Sequence, residues 1–105
     1  MSAAPKPDLP SQPCVDRLRV LADPTRLQVI HELDTGSLRA GELNDRIPIA
    51  QNLLSHHLRV LRDAGLVVST RDGKSVVYSL ASDVRRVRGS LAIDLGCCRV
   101  NFRDS

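Results

Sequence analysis

The 105-residue sequence has no tryptophan and only one phenylalanine, one tyrosine and one methionine. A core without large rings must be filled by Leu, Val, Ile and Ala, a composition that favours packed helices. Long apolar runs are also missing. No stretch approaches the ~20 residues needed to cross a bilayer, and the opening "MSAAPKPDLPSQP" has neither a hydrophobic segment nor the basic lead of a secretory signal. A cytoplasmic protein with no membrane partner is the expectation. Cysteine is scarce, with three residues, Cys14, Cys97 and Cys98. An odd number, in a compartment that keeps thiols reduced, points away from a disulfide framework and towards metal or reactive-thiol chemistry. Lysine is nearly absent too: 13 of the 15 basic residues are Arg, whose planar fork suits phosphates and base edges. With a net charge of only +3, this is a hint of nucleic acid and no more. A single domain of this size buries about two-thirds of its unfolded surface, so a dimer is plausible.

What is present is a series of well-punctuated elements. Residues 1–13 carry four of the six prolines and are expected to form an extended, mobile arm. Val15, Leu18, Leu21 and Ala22 recur at helical spacing in a first helix that starts near Cys14. In "ADPTRLQVIHELDTG", Asp23 can cap a second helix, Pro24 fits its first turn, Leu27, Ile30 and Leu33 line one face, and Gly36 stops it. Ser37 can cap a third, roughly from Arg39 to Arg46, before Pro48 breaks the chain. "AQNLLSHHLRVLRDAG" then places Leu54, Leu58 and Leu61 on one face of a fourth helix that closes at Gly65. Two β-branched runs flank Asp72-Gly73, a dipeptide suited to the positive φ of a tight hairpin turn. Ser82 can cap a final helix with the apolar stripe Val84, Val87, Leu91 and Leu95, ended by Gly96. The expected class is mainly α with a β-hairpin.

Two short helices joined tightly and followed by a hairpin describe a helix-turn-helix with a wing. In that motif the second helix enters the major groove, so its non-core face must carry hydrogen-bonding groups. Gln51, Asn52, Ser55, His56 and Arg59 fall on the faces that the leucines leave free, and Arg71 and Lys74 bracket the wing tip, where they can reach phosphates or the minor groove. A solvated face would look similar in isolation, since polar faces are the rule on amphipathic helices. The hairpin directly after the helix favours DNA.

The stretches "LADPTRLQVIHEL", "LSHHLRVLRDAGLV" and "RDGKSVVYSL" resemble the ArsR/SmtB family of winged helix-turn-helix, ligand-responsive repressors, over about Leu18 to Leu80. The resemblance implies a homodimer held by the first and last helices and a recognition helix at about Ala50 to Ala64. It also implies an inverted-repeat operator in double-stranded DNA, with release when an inducer binds. A domain at 14–96, followed by a cysteine-bearing tail at 97–105, is the division expected. The family's arsenic pattern, similar to Leu-Cys-Val-Cys-Asp-Leu in the third helix, is replaced here by Leu38-Arg39-Ala40-Gly41-Glu42-Leu43, without either thiol. Its zinc sites draw Asp, His and Glu from the last helix, and the matching region "ASDVRRVRGSLAIDLGCC" has no His. Ala50 stands where members often carry a capping Ser.

If the first and last helices pack together as the family implies, Cys14, Cys97 and Cys98 can converge within one subunit or across two. Three thiolates without imidazole make a soft site. Trivalent arsenic or antimony fits best, since each accepts three sulfurs in a trigonal pyramid; Cd(II) and Pb(II) are alternatives. A persulfide or oxidant sensor bridging Cys14 to one of the pair is the main rival, with the third thiol idle. A buried structural cysteine is the plain alternative for Cys14. His31, on a half-buried helix face, and His56 and His57 need no metal. A thiol-rich metal buffer would leave the wing unexplained. Nothing supplies a nucleophile, a base and an orienting group for an enzyme, and a thiol oxidoreductase would prefer Cys-x-x-Cys. No organic cofactor is expected.

Overall fold

A computed structural model describes residues 11–87 and 92–102 of the chain. The order is α1 (Gln12–Leu21), α2 (Pro24–Leu33), β1 (Leu38–Arg39), α3 (Ala40–Arg46), α4 (Gln51–Asp63), β2 (Val67–Asp72), β3 (Ser75–Leu80), β4 (Arg85–Arg86), β5 (Ala92–Asp94) and β6 (Arg99–Asn101). Four helices and a hairpin wing thus follow one another as expected from the sequence. None of these helices is long and apolar enough to cross a membrane.

Helix ends follow local chemistry. Ser11 caps α1 by accepting the Cys14 N–H, so the helix begins at Gln12, inside the stretch expected to be an arm; residues 1–10 of that arm lie outside the described residues. The Asp23 carboxylate accepts the Thr25 and Arg26 N–H groups at the start of α2. Those bonds, the one from Arg26 first, hold its carboxyl below the ordinary carboxylate range against a partial loss of solvent, with the charge of the Arg26 guanidinium adding to them. Ser37 does not cap α3. Arg39 takes the cap position, with its N–H donating to Glu42 Oε1 at 3.0 Å, because Leu38 and Arg39 are drawn into strand pairing with Tyr78 and Val77. Ala50 precedes α4 without a side-chain cap.

The core takes Ile30, Leu33, Leu54, Leu58 and Leu61 from the faces that helical periodicity marked, leaves Leu27 of those faces half-buried, and adds Leu43 and Leu66. Ile30, Leu33, Leu43, Leu54, Leu58, Leu61 and Leu66 are all buried, packed with Val29 and Val67. β1, β3 and β2 form one antiparallel sheet in that order, with Asp72 paired to Ser75. The wing turn is therefore Gly73-Lys74, one residue beyond the expected Asp72-Gly73, and Gly73 supplies the positive φ of 62°.

Where a final helix is expected from Ser82 to Leu95, the described residues, which leave out 88–91, form β4 and β5 and, with β6, an antiparallel sheet in the order β4, β5, β6. Leu91 of the expected stripe lies outside the described residues. The physical reason is visible at Ile93, which is off that stripe yet buried, as is Leu95. On a helix, positions two apart point to nearly opposite sides, whereas extended backbone turns both the same way. Val84, Val87, Ile93 and Gly89 also give the segment weak helix propensity. Gly96, expected to end a helix, instead turns the β5–β6 hairpin at φ 81°, with Leu95 N–H donating to Cys98 O at 2.8 Å. A side chain there would strike Asp83, its Cβ lying 2.7 Å from Oδ2. The cysteine pair consequently sits in a hairpin turn closed by β6, where a tail was expected.

Candidate nucleic-acid interface and cysteine cluster

On α4, Leu54, His57, Leu58 and Leu61 face the core, while Gln51, Asn52, Ser55, His56 and Arg59 are exposed. His57 is pinned as a buried group, its Nδ1 accepting from Arg26 Nε at 3.1 Å. His31 is exposed, where a half-buried face was expected, and it touches the Arg86 guanidinium. Asn52, Ser55, His56 and Arg59 line one side of an open cavity of about 430 Å³ together with Arg62 and Tyr78. Gln51 lies instead beside a smaller recess of about 60 Å³ near α3. Arg71 and Lys74 are exposed on the wing. This face combines cationic and neutral donors on a helix with the edge of a hairpin, a surface able to bond phosphates and base edges.

Arg62 and Tyr78 were absent from the sequence-derived set. Arg62 was findable, since it continues the Ser55, Arg59 row at helical spacing. Tyr78 was not, because only the pairing of β3 with β1 and β2 brings it beside α4.

The second constellation joins the two ends of the chain. Cys14, Cys97 and Cys98 place their sulfurs within 4.8 Å of one another, inside a single chain. Cys14 lies in the first turns of α1 and is only 1% exposed; Cys97 is exposed and Cys98 half-buried in the hairpin turn. Cys14 and Cys97 are joined as a disulfide with a Cα separation of 6.0 Å, and Cys98 Sγ stands 3.3 Å from Cys14 Sγ. A disulfide ran against the expectation from an odd cysteine count. Pairing follows from the hairpin, which returns the chain to α1 at an ordinary disulfide Cα distance. As a donor set, the cluster offers three sulfurs with no nitrogen or oxygen ligand in the group, which suits a thiophilic ion once all three are thiols.

Arg17, one turn beyond Cys14, ties this cluster to the rest of the fold. It donates to Leu95 O at 2.7 Å, to Asp83 Oδ2 at 2.9 Å and to Gly65 O at 3.1 Å, the last just beyond the end of α4. No sequence signal marked it. The hairpin turn is held from its other side by Asp94, which accepts the Gly96 N–H at 2.9 Å. That bond foremost, opposed by partial desolvation and aided by the charges of Arg99 and Arg85, keeps the Asp94 carboxyl below its ordinary range.

Residues 23–69 match the family model described as bacterial regulatory protein, arsR family. The HTH-type transcriptional regulator NmtR of Mycobacterium tuberculosis is 48% identical over 63 residues, covering 60% of this chain and 52% of NmtR. The transcriptional repressor SdpR of Bacillus subtilis is 32% identical over 66 residues, 63% of this chain and 73% of SdpR. Among solved structures, HlyU from Vibrio cholerae superposes with a TM-score of 0.64 at 37% identity, over 67% of this chain and 76% of HlyU. The repressor BigR from Xylella fastidiosa gives 0.62 at 36% identity, over 66% and 70%. The match spans about half the length of the curated relatives such as NmtR.

Proposed function

Since the chain belongs to the ArsR/SmtB family of bacterial regulatory proteins, whose members are DNA-binding regulators and not enzymes, we propose that it is a cytoplasmic transcriptional repressor. In this reading a homodimer binds an inverted repeat in double-stranded operator DNA and lets go when As(III) or Sb(III) binds Cys14, Cys97 and Cys98. The observation that carries the reading is the convergence of three sulfurs from opposite ends of the sequence within 4.8 Å. A pair alone would hold a trivalent metalloid by two bonds; the third sulfur completes its preferred three.

In the proposed complex, α4 lies in the major groove. Asn52 and Ser55, in its N-terminal half, read base edges, with Gln51, His56 and Arg59 around them. Arg71 and Lys74 anchor the wing to phosphates without regard to sequence. Release follows if the metalloid prefers a dimer geometry in which the two α4 helices no longer match both grooves. Arg17 is the proposed link, since it touches both the cysteine-bearing turn and the end of α4. In this reading α1 keeps its share of the dimer contact, and the described residues after 84 contribute β4, β5 and β6 in place of a helix.

The test is release from DNA. Reduced protein is used to select duplexes from a random pool, and anisotropy then follows binding to the selected duplex with and without sodium arsenite. Arsenite should weaken binding roughly 5- to 150-fold, the span of ordinary allosteric coupling, and Cys14→Ser, Cys97→Ser and Cys98→Ser should each blunt that response without greatly weakening unliganded binding. Failure to enrich any duplex would refute the DNA reading. Release by cadmium or lead alone would reassign the ion. A second reading, persulfide or oxidant sensing on the same fold, is favoured by the Cys14–Cys97 bond, and release by persulfide but not arsenite would select it.

A further inference from the structure

We infer that the metalloid site is gated by its own disulfide: oxidation of Cys14 and Cys97 closes it to arsenite, and thiol reduction reopens it. The inference rests on the metalloid reading above, and adds a condition on when the site can respond. Closing the three-sulfur cage around a trivalent arsenic centre requires three thiols, because arsenous acid then forms three As–S bonds and releases three waters, one for each S–H consumed. With Cys14 bonded to Cys97, only Cys98 keeps a thiol. One remaining donor makes a single, hydrolysable As–S bond in place of a closed cage. The two states are therefore mutually exclusive uses of the same sulfurs.

The burial pattern says how the gate is worked. Cys97 is exposed whereas Cys14 is 1% exposed, so a hydroperoxide meets Cys97 first. Its thiolate attacks the peroxide, the O–O bond breaks, one water or alcohol leaves, and Cys97 becomes a sulfenic acid. The Cys14 thiolate then attacks the Cys97 sulfur and expels hydroxide, which leaves as the second water after protonation. Two thiols are oxidised by two electrons, and the peroxide is reduced. In reverse, an external thiolate attacks the exposed Cys97 sulfur, the S–S bond breaks, and Cys14 leaves as thiolate; a second external thiol resolves the mixed disulfide. Cys98, 3.3 Å from Cys14, is the thiol held ready at the site through both steps.

Full-length protein is reduced with a phosphine and desalted without oxygen. One half is then treated with hydrogen peroxide and desalted again. Both halves are incubated with sodium arsenite, desalted, and assayed for arsenic per chain by mass spectrometry. The peroxide-treated chain should be lighter by two hydrogens, with fragments joining Cys14 to Cys97, and it should retain at least ~10-fold less arsenic than the reduced chain because ligation needs free thiolates. Renewed phosphine treatment should restore loading. Cys98→Ser should still lose two hydrogens. Equal retention by a chain whose Cys14–Cys97 bond is confirmed would overturn the gate while leaving the metalloid reading intact. Peroxide treatment that forms no such bond would also overturn it. If reduced protein retains no arsenic, the metalloid reading itself fails and the gate falls with it.

Discussion

The helices and wing, residues 12–80, and the second sheet, residues 85–101, are held together by different means. The first region has its own core, with Ile30, Leu43, Leu58, Leu61 and Leu66 excluded from solvent and a polar face left over on α4. The second consists of strands of two or three residues, too short to be stable alone. It leans on the first through Val84, Ile93 and Leu95, through the Arg17 bonds and through a covalent link at Cys14. The contrast separates two jobs. Stability and the proposed DNA-reading surface reside in the region with redundant apolar packing, and the proposed ligand response resides where a few specific bonds decide the arrangement.

The largest effect that would expose this difference is in the core. Leu61→Ala should cost ~2–5 kcal/mol, the range for emptying a fully buried leucine site, whereas Val100→Ala in the half-buried part of the second sheet should cost less, as measured by urea unfolding. Equal costs would mean that the sheet is as much a part of the core as α4.

Next in size is the joint between the regions. Arg17→Met leaves the Gly65 and Leu95 carbonyls without this donor, an expected loss of ~1–3 kcal/mol. More telling is its effect on function. The variant should still take up arsenite yet lose most of the arsenite-driven release from DNA, read by arsenic retention and anisotropy on one sample. Intact release would move the coupling path away from Arg17.

Within the proposed DNA surface the comparison can be sharpened further. Asn52→Ala should cost ~1–3 kcal/mol on the selected duplex, and little on unrelated DNA, if it contacts a base edge. Lys74→Ala should weaken both duplexes alike and reduce the salt slope by about one. Identical behaviour of the two variants would erase the division between reading and anchoring.

The two regions also differed in how much the sequence disclosed. Repetition made the first legible: Leu54, Leu58 and Leu61 state one helical face three times, Asp23-Pro24 marks a start, and the Asp72-Gly73 signal located the wing to within one residue. The second carried contradictory signals. Val84, Val87, Leu91 and Leu95 fit a helical stripe, and the deciding residue, Ile93, is informative only once its burial beside Leu95 is known. The three cysteines were legible as a soft donor set, but their placement in one chain depends on a β5–β6 turn that the helical reading had no place for. Arg17 was illegible because its three acceptors are two backbone carbonyls and one carboxylate, each far from it in sequence.

The smallest expected effect is a pH response confined to the second region. Asp94 has its carboxyl lowered from 3.8 when folded, so its support of the hairpin turn is fully present above that value. The support is lost only as pH falls through the still lower folded value. Chemical shifts of Gly96 should therefore show no titration around neutral pH and change only in acid, and Asp94→Asn should loosen the turn at neutral pH without disturbing α4. A Gly96 transition near neutrality would contradict this assignment.

The central claim is that Cys14, buried in the first helix, completes a site whose other donors lie in the distant hairpin. X-ray absorption at the arsenic edge, on reduced full-length protein loaded with arsenite, tests this most directly. The account predicts a first shell of three sulfurs, falling to two sulfurs and one oxygen in Cys14→Ser. A shell of two sulfurs and one oxygen in the unaltered protein would contradict it, showing that the adjacent pair binds without the helix.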